Sequence, residues 1–162
     1  MDAATIRPLT TDAEAEACAG FMAASDPWVT LGRGPEALLP MLRDPARECY
    51  GALVDERLAG CLVLNLHGPF AGYLQAICVA PGFRGQGLGA ELVAFAEARI
   101  FREHPNVFLC VSSFNSGARR LYQRLGYAPV GELTDYLVAG HSEWLLRKTR
   151  GPIRGYGTAG PP

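Results

Sequence analysis

The run Val79-Ala80-Pro81-Gly82-Phe83-Arg84-Gly85-Gln86-Gly87-Leu88-Gly89-Ala90 constrains this chain more than any other segment. An apolar, strand-like stretch ends at Val79, proline interrupts it, and a glycine-dense turn opens a long helical pattern. The first N–H groups of a helix have no partner inside it and carry partial positive charge. Glycines let backbone approach an anion closely and adopt positive φ. The segment therefore reads as a phosphate-binding turn, with Arg84 adding charge at its rim.

Several ligands and one plainer explanation compete for that turn. A nucleotide-triphosphate loop would need Gly-Lys-Ser/Thr at the helix start, which is missing. The dinucleotide fingerprint is met literally by Gly85, Gly87 and Ala90, but it also asks for an acid at the end of the next strand. That strand ends in Cys110-Val111-Ser112, with no acid. A coenzyme A diphosphate turn, carried by Arg84, Gly87 and Gly89, remains. The plainer alternative is glycines that only let the helix pack closely on a sheet.

Composition narrows the partners. With 162 residues the chain is expected to form one domain over residues 1–150, followed by a Gly/Pro-rich tail at 151–162. The net charge of −1 gives no electrostatic case for nucleic acid. No apolar run approaches the ~20 residues of a membrane span, and the first ten residues lack a secretory pattern. The five cysteines stand singly, without metal-ligand or Cys-x-x-Cys spacing, so free thiols, no metal site and a cytoplasmic setting are expected.

The periodicities give an element order. A strand at 4–9 precedes a helix at 12–24 capped by Thr11 or Asp12, which Ser25-Asp26-Pro27 stops. Pro35 opens a second helix to Arg43. Strands at 50–54 and 58–66 form a hairpin around Asp55-Glu56-Arg57, and a third runs over 72–79. The long helix spans 86–103, with Leu88, Leu92, Ala96 and Ile100 on one stripe. A strand at 107–111, a helix from Asn115 to Leu125 ended by Gly126, and a hairpin of 127–137 with 143–148 complete the order. Hairpins mixed with helical crossovers predict an α/β protein whose central mixed sheet carries helices on both faces.

A second motif, Asn115-Ser116-Gly117-Ala118-Arg119-Arg120-Leu121-Tyr122-Gln123-Arg124-Leu125-Gly126-Tyr127, joins the first. Together the two segments resemble the GCN5-related N-acetyltransferase (GNAT) superfamily, and the element order fits its mostly antiparallel fold. Residues 26–34 and 131–148 resemble a branch of that superfamily that points to no substrate. The resemblance implies acetyl-coenzyme A as cosubstrate and a primary amine as acceptor, a small molecule or a protein amine. It implies that the strand splays at a bulge near Ile77, Cys78 and Val79, whose backbone meets the pantetheine arm and the thioester oxygen. Arg84, Gly85, Gln86, Gly87, Leu88, Gly89 and Ala90 would hold the diphosphate, and Asn115 the pantetheine. Tyr122 would protonate the departing thiolate; without the resemblance it reads as a core aromatic. A non-catalytic acyl-coenzyme A sensor on the same fold is the rival reading.

The acceptor side is less legible. An α-amine is about one-third neutral at pH 7.5, a lysine side chain only about 0.1 %, so a lysine-like acceptor needs a base more. In the branch that acetylates ribosomal-protein N-termini, a glutamate precedes the motif asparagine by five residues. Here that position is Cys110. A water chain, His141, Glu143 or Asp135 are the alternatives. Trp28, Tyr73, Gln75, Cys110, Tyr136 and His141 are candidates for the acceptor groove, with Arg33 beside them. The apolar edges of the last hairpin and tail are compatible with a homodimer.

Overall fold

The computed structural model describes residues 4–157. Among the described residues seven strands form one sheet: β1 Thr5–Pro8, β2 Glu48–Val54, β3 Arg57–Asn65, β4 Tyr73–Val79, β5 Asn106–Ser112, β6 Ala128–Leu133 and β7 Glu143–Thr149. Their order is β1-β2-β3-β4-β5-β7-β6. Every neighbouring pair is antiparallel except β4 with β5. Four α-helices of the described residues cover the faces: α1 Asp12–Ala23, α2 Pro35–Arg43, α3 Leu88–Ile100 and α4 Ser116–Arg124. The expected mixed, mostly antiparallel sheet between helical layers is the observed architecture.

Alternation along the strands builds two cores. Leu62 and Leu64 of β3 point to the α3 side, where Leu88, Leu92, Ala96 and Ile100 pack. Cys61 and Val63 point the other way, against Cys18 and Met22 of α1 and Leu38 of α2. Thr11 caps α1, its hydroxyl accepting from the Glu14 amide at 3.2 Å.

Among the element boundaries that differ from the periodicity, three have a clear local reason. The Gly85 and Gly87 φ angles of +74° and +89° are incompatible with helix, so α3 starts at Leu88 rather than residue 86. The hairpin turn is only Asp55-Glu56, both at positive φ, and Arg57 belongs to β3. The Asp135 carboxylate accepts from the Gly140 amide at 2.7 Å, closing a loop that ends β6 at Leu133 and leaves Tyr136 outside any strand. In the tail, the Tyr156 hydroxyl donates to the Phe101 carbonyl at 2.6 Å, while Ile153 is exposed.

The strands β4 and β5 register only at Tyr73 with Phe108, beside a hydrogen bond from the Phe108 amide to the Gly72 carbonyl at 3.0 Å. Beyond that point they diverge. Gly72 has φ +85°, and a β-carbon there would press on the Asn106 carbonyl and lie 2.7 Å from Ile100 Cγ2. Gly72→Ala combines a left-handed backbone with overpacking and is expected to cost about 3 kcal/mol. Urea unfolding would show this as a lower midpoint at unchanged slope.

Candidate active site

A cavity of about 420 Å³ fills the gap where β4 and β5 part. Its walls come from β4, from Cys110 to Ser112 of β5, from α4 through Tyr122, and from the loop between α1 and α2 through Trp28. The volume lies within the range of small-ligand sites.

The bulge that re-aims β4 sits at Gln75, two residues before the expected place. Val63 pairs with Ala76 and Leu64 with Leu74, so Gln75 is the extra residue. The physical effect is a reversal of facing: Leu74 joins the α3 core and Ala76, two residues on, joins the α1–α2 core. Ile77 and Val79 then pack toward α3, and Cys78 toward α1 with burial pushing its thiol up to about 11. All three also line the cavity.

At the far end of β4 a short turn of 3-10 helix, Pro81–Phe83, leads into the glycine turn. The amides of Gly85, Gln86, Gly87, Leu88 and Gly89 have no hydrogen-bond acceptor among the described residues. Gly85, Gln86 and Gly87 are exposed, and Gly89 and Ala90 partly so. Leu88 contributes only backbone, because its side chain is buried in the α3 core. Arg84 departs from the expected rim position: its guanidinium donates to the Val79 carbonyl at 3.1 Å and to Ser25 Oγ at 2.5 Å. Ser25 in turn donates to the Phe21 carbonyl at 2.5 Å. The fork therefore ties the glycine turn to the end of α1.

Asn115 and Tyr122 lie two helical turns apart on one face of α4. The Asn115 side-chain oxygen accepts from the Ala118 amide at 3.2 Å as the helix cap, which leaves its amide nitrogen free for another partner. Tyr122 is 5 % exposed and its ring meets Tyr127 edge-on at 5.7 Å. Burial raises its phenol above the ordinary value. Its hydroxyl has no hydrogen-bond partner among the described residues, yet it is not sealed off from solvent.

The predicted acceptor residues divide. Trp28, Tyr73, Gln75, Cys110 and Tyr136 all line the cavity. Gln75 is held by Arg47, whose Nε donates to its side-chain oxygen at 2.6 Å. Tyr73 and Cys110 face one another, and burial raises both. His141 does not line the cavity; in the turn before β7 its ring stands edge-on to Phe114 at 4.9 Å. Asp135 is likewise elsewhere, engaged with Gly140. Of the acids and the histidine of the last hairpin, Glu143 alone faces the cavity. Ser112, beside it, was not anticipated.

The family model of the acetyltransferase (GNAT) family matches residues 13–127, which contain the bulged strand, the glycine turn and the whole of α4. The chain belongs to the GNAT acetyltransferase family. The N-alpha-acetyltransferase RimI of Mycobacterium tuberculosis is 30 % identical over 149 residues, covering 87 % of this chain and 90 % of that one. The fold is shared with the ribosomal-protein-S18-alanine N-acetyltransferase from Escherichia coli (TM-score 0.73, 16 % identity, 94 % of this chain and 97 % of that). It is shared too with the spermidine N-acetyltransferase from Vibrio cholerae, solved with CoA and spermine (TM-score 0.69, 18 % identity, 91 % and 95 %). As a GNAT enzyme the chain is an acetyl-CoA-dependent acetyltransferase. Among its described residues no helix is long and apolar enough to cross a membrane.

Proposed function

We propose that this acetyltransferase moves the acetyl group of acetyl-CoA directly onto a primary amine, with Tyr122 as general acid. The observation that carries the reading is the run of unpartnered amides at residues 85–89, opening beside a cavity that Tyr122 and the free edge of β4 both reach. Those amides would take the diphosphate. The backbone of Ile77, Cys78 and Val79 would pair with the pantetheine arm, and one of its N–H groups would meet the thioester oxygen as charge develops there. The free amide nitrogen of Asn115 would hold the same arm.

The amine nitrogen attacks the thioester carbon. A C–N bond forms, the carbonyl electrons move to oxygen, and their return expels sulfur. The sulfur takes its proton from the Tyr122 phenol, which burial keeps protonated across neutral pH. The acceptor chamber sets Trp28, Leu31, Tyr73 and Leu137 among two carboxylates, Glu143 and Asp26, and the Arg33 guanidinium, which offsets one of the two charges. That lining suits an amine carrying a single positive charge on an apolar body better than a polycation.

An amine panel with acetyl-CoA, read by release of free thiol, tests the proposal. Benzylamine, short peptides with free N-termini and spermidine would span the classes, and the first two are expected to outperform the third. Binding of acetyl-CoA without thiol release from any amine would favour an acyl-CoA sensor instead.

A further inference from the structure

Glu143 begins β7 directly opposite Ser112 of β5, and both side chains lie on the face that borders the acceptor chamber. Cys110 is two residues back from Ser112 on the same face. The carboxylate is therefore one strand over from the position where Cys110 stands. Glu143 is 4 % exposed, yet it has no ion pair among the described residues. Its Oε1 accepts from Ser112 Oγ at 2.5 Å. Its Oε2 has no hydrogen-bond partner among the described residues, and it is not sealed off from the cavity.

A carboxylate so placed is costly to keep unless something cationic meets it. The groups nearest it do not. Tyr73 comes from β4, Cys110 from β5 and Tyr136 from the loop before β7, and none of the three is a cation. On the opposite wall Arg33 donates to the Ala37 carbonyl at 3.3 Å, and Asp26 accepts from Thr30.

We infer that Glu143, positioned by Ser112, receives the proton of the acceptor ammonium through its free Oε2. This rests on the transfer reading above. One nitrogen proton passes to Oε2 and leaves to solvent after product release. The freed lone pair forms the C–N bond. The second nitrogen proton replaces the one that Tyr122 gives to sulfur. Burial raises the carboxyl above its ordinary value, which makes the anion a better proton acceptor, and the Ser112 hydroxyl offsets part of that shift.

The test is kcat against pH for wild type, Glu143→Gln and Ser112→Ala, with the fastest alkylamine of the panel. Wild type is expected to reach a plateau once Glu143 ionises. Glu143→Gln is expected to lose about 100-fold near pH 7. Its rate should then climb about tenfold per pH unit toward the amine's own pKa, as the substrate supplies its own neutral form. Ser112→Ala removes a bond to the anion, so the acid limb should move to higher pH.

Melting temperature separates this from a structural role. A buried carboxylate with raised pKa destabilises the fold once pH exceeds its unfolded value, and Gln carries no such charge. Glu143→Gln should therefore melt at or above wild type at pH 8. If the variant kept the wild-type rate and plateau while wild type turned over, the inference would fall and the acetyltransferase reading would stand. If wild type acetylated no amine, both would fall.

Discussion

Replacing Tyr122 by phenylalanine is expected to lower kcat by about 100-fold and to leave acetyl-CoA affinity within about twofold. The substitution keeps the ring, its burial and its edge contact with Tyr127. It removes only a hydroxyl that has no partner among the described residues, so no other buried group is orphaned. Stability should be unchanged, and the loss should appear in the chemical step. Pre-steady-state thiol release together with calorimetric acetyl-CoA binding would check both halves. A rate within threefold of wild type would assign the leaving-group proton to another donor. Because burial pushes the phenol above its ordinary value, Tyr122 also should not produce an alkaline limb below about pH 10.

That prediction was legible in the chain because its signals are local. Asn115 caps one short helix, Tyr122 lies on its buried face and Gly126 follows its end, so their spacing fixes the cap, the face and the stop. The glycine turn is equally local: Gly85 and Gly87 take the positive φ that their spacing suggests, and the proline before them ends the strand. Core stripes such as Leu88, Leu92, Ala96 and Ile100 follow from helical period alone.

What escaped the sequence depends on partners far away along the chain. The bulge at Gln75 is defined only by the pairing of β4 with β3, so alternation within β4 gives no sign of where facing reverses. Arg84 reads as a surface cation until α1 brings Ser25 against it from 59 residues away. Four separate thiols, Cys18, Cys49, Cys61 and Cys78, converge between the sheet and α1, yet each looks solitary in sequence. Glu143 is the instructive case. It opens the last strand directly after His141-Ser142, and nothing local in the sequence separates it from His141 or Asp135 as a candidate base. Its burial follows from the register of β7 on β5, which sets it across from Ser112.

Trp28 joins the fold to the acceptor chamber, and Trp28→Ala is expected to cost about 4 kcal/mol, lowering Tm by roughly 8–16 °C. The indole is 8 % exposed and packs in the core shared by Met22, Leu38 and Val63. The loop around it is held by its own hydrogen bonds: the Arg33 amide reaches the Trp28 carbonyl at 2.9 Å, and Asp26 accepts from Thr30 Oγ1 at 2.7 Å. The indole is thus the anchor by which a self-bonded loop meets the sheet. Another side of the ring borders the cavity, so truncation also enlarges the acceptor chamber. Acceptor KM should therefore rise while acetyl-CoA affinity, governed by the glycine turn that follows β4, changes little. Trp28→Phe separates the two contributions, since it restores most of the packing but leaves a gap on the cavity side. Recovery of Tm with a still elevated acceptor KM would place the outer edge of the indole in contact with the amine's apolar body. Recovery of both together would confine Trp28 to pinning the loop.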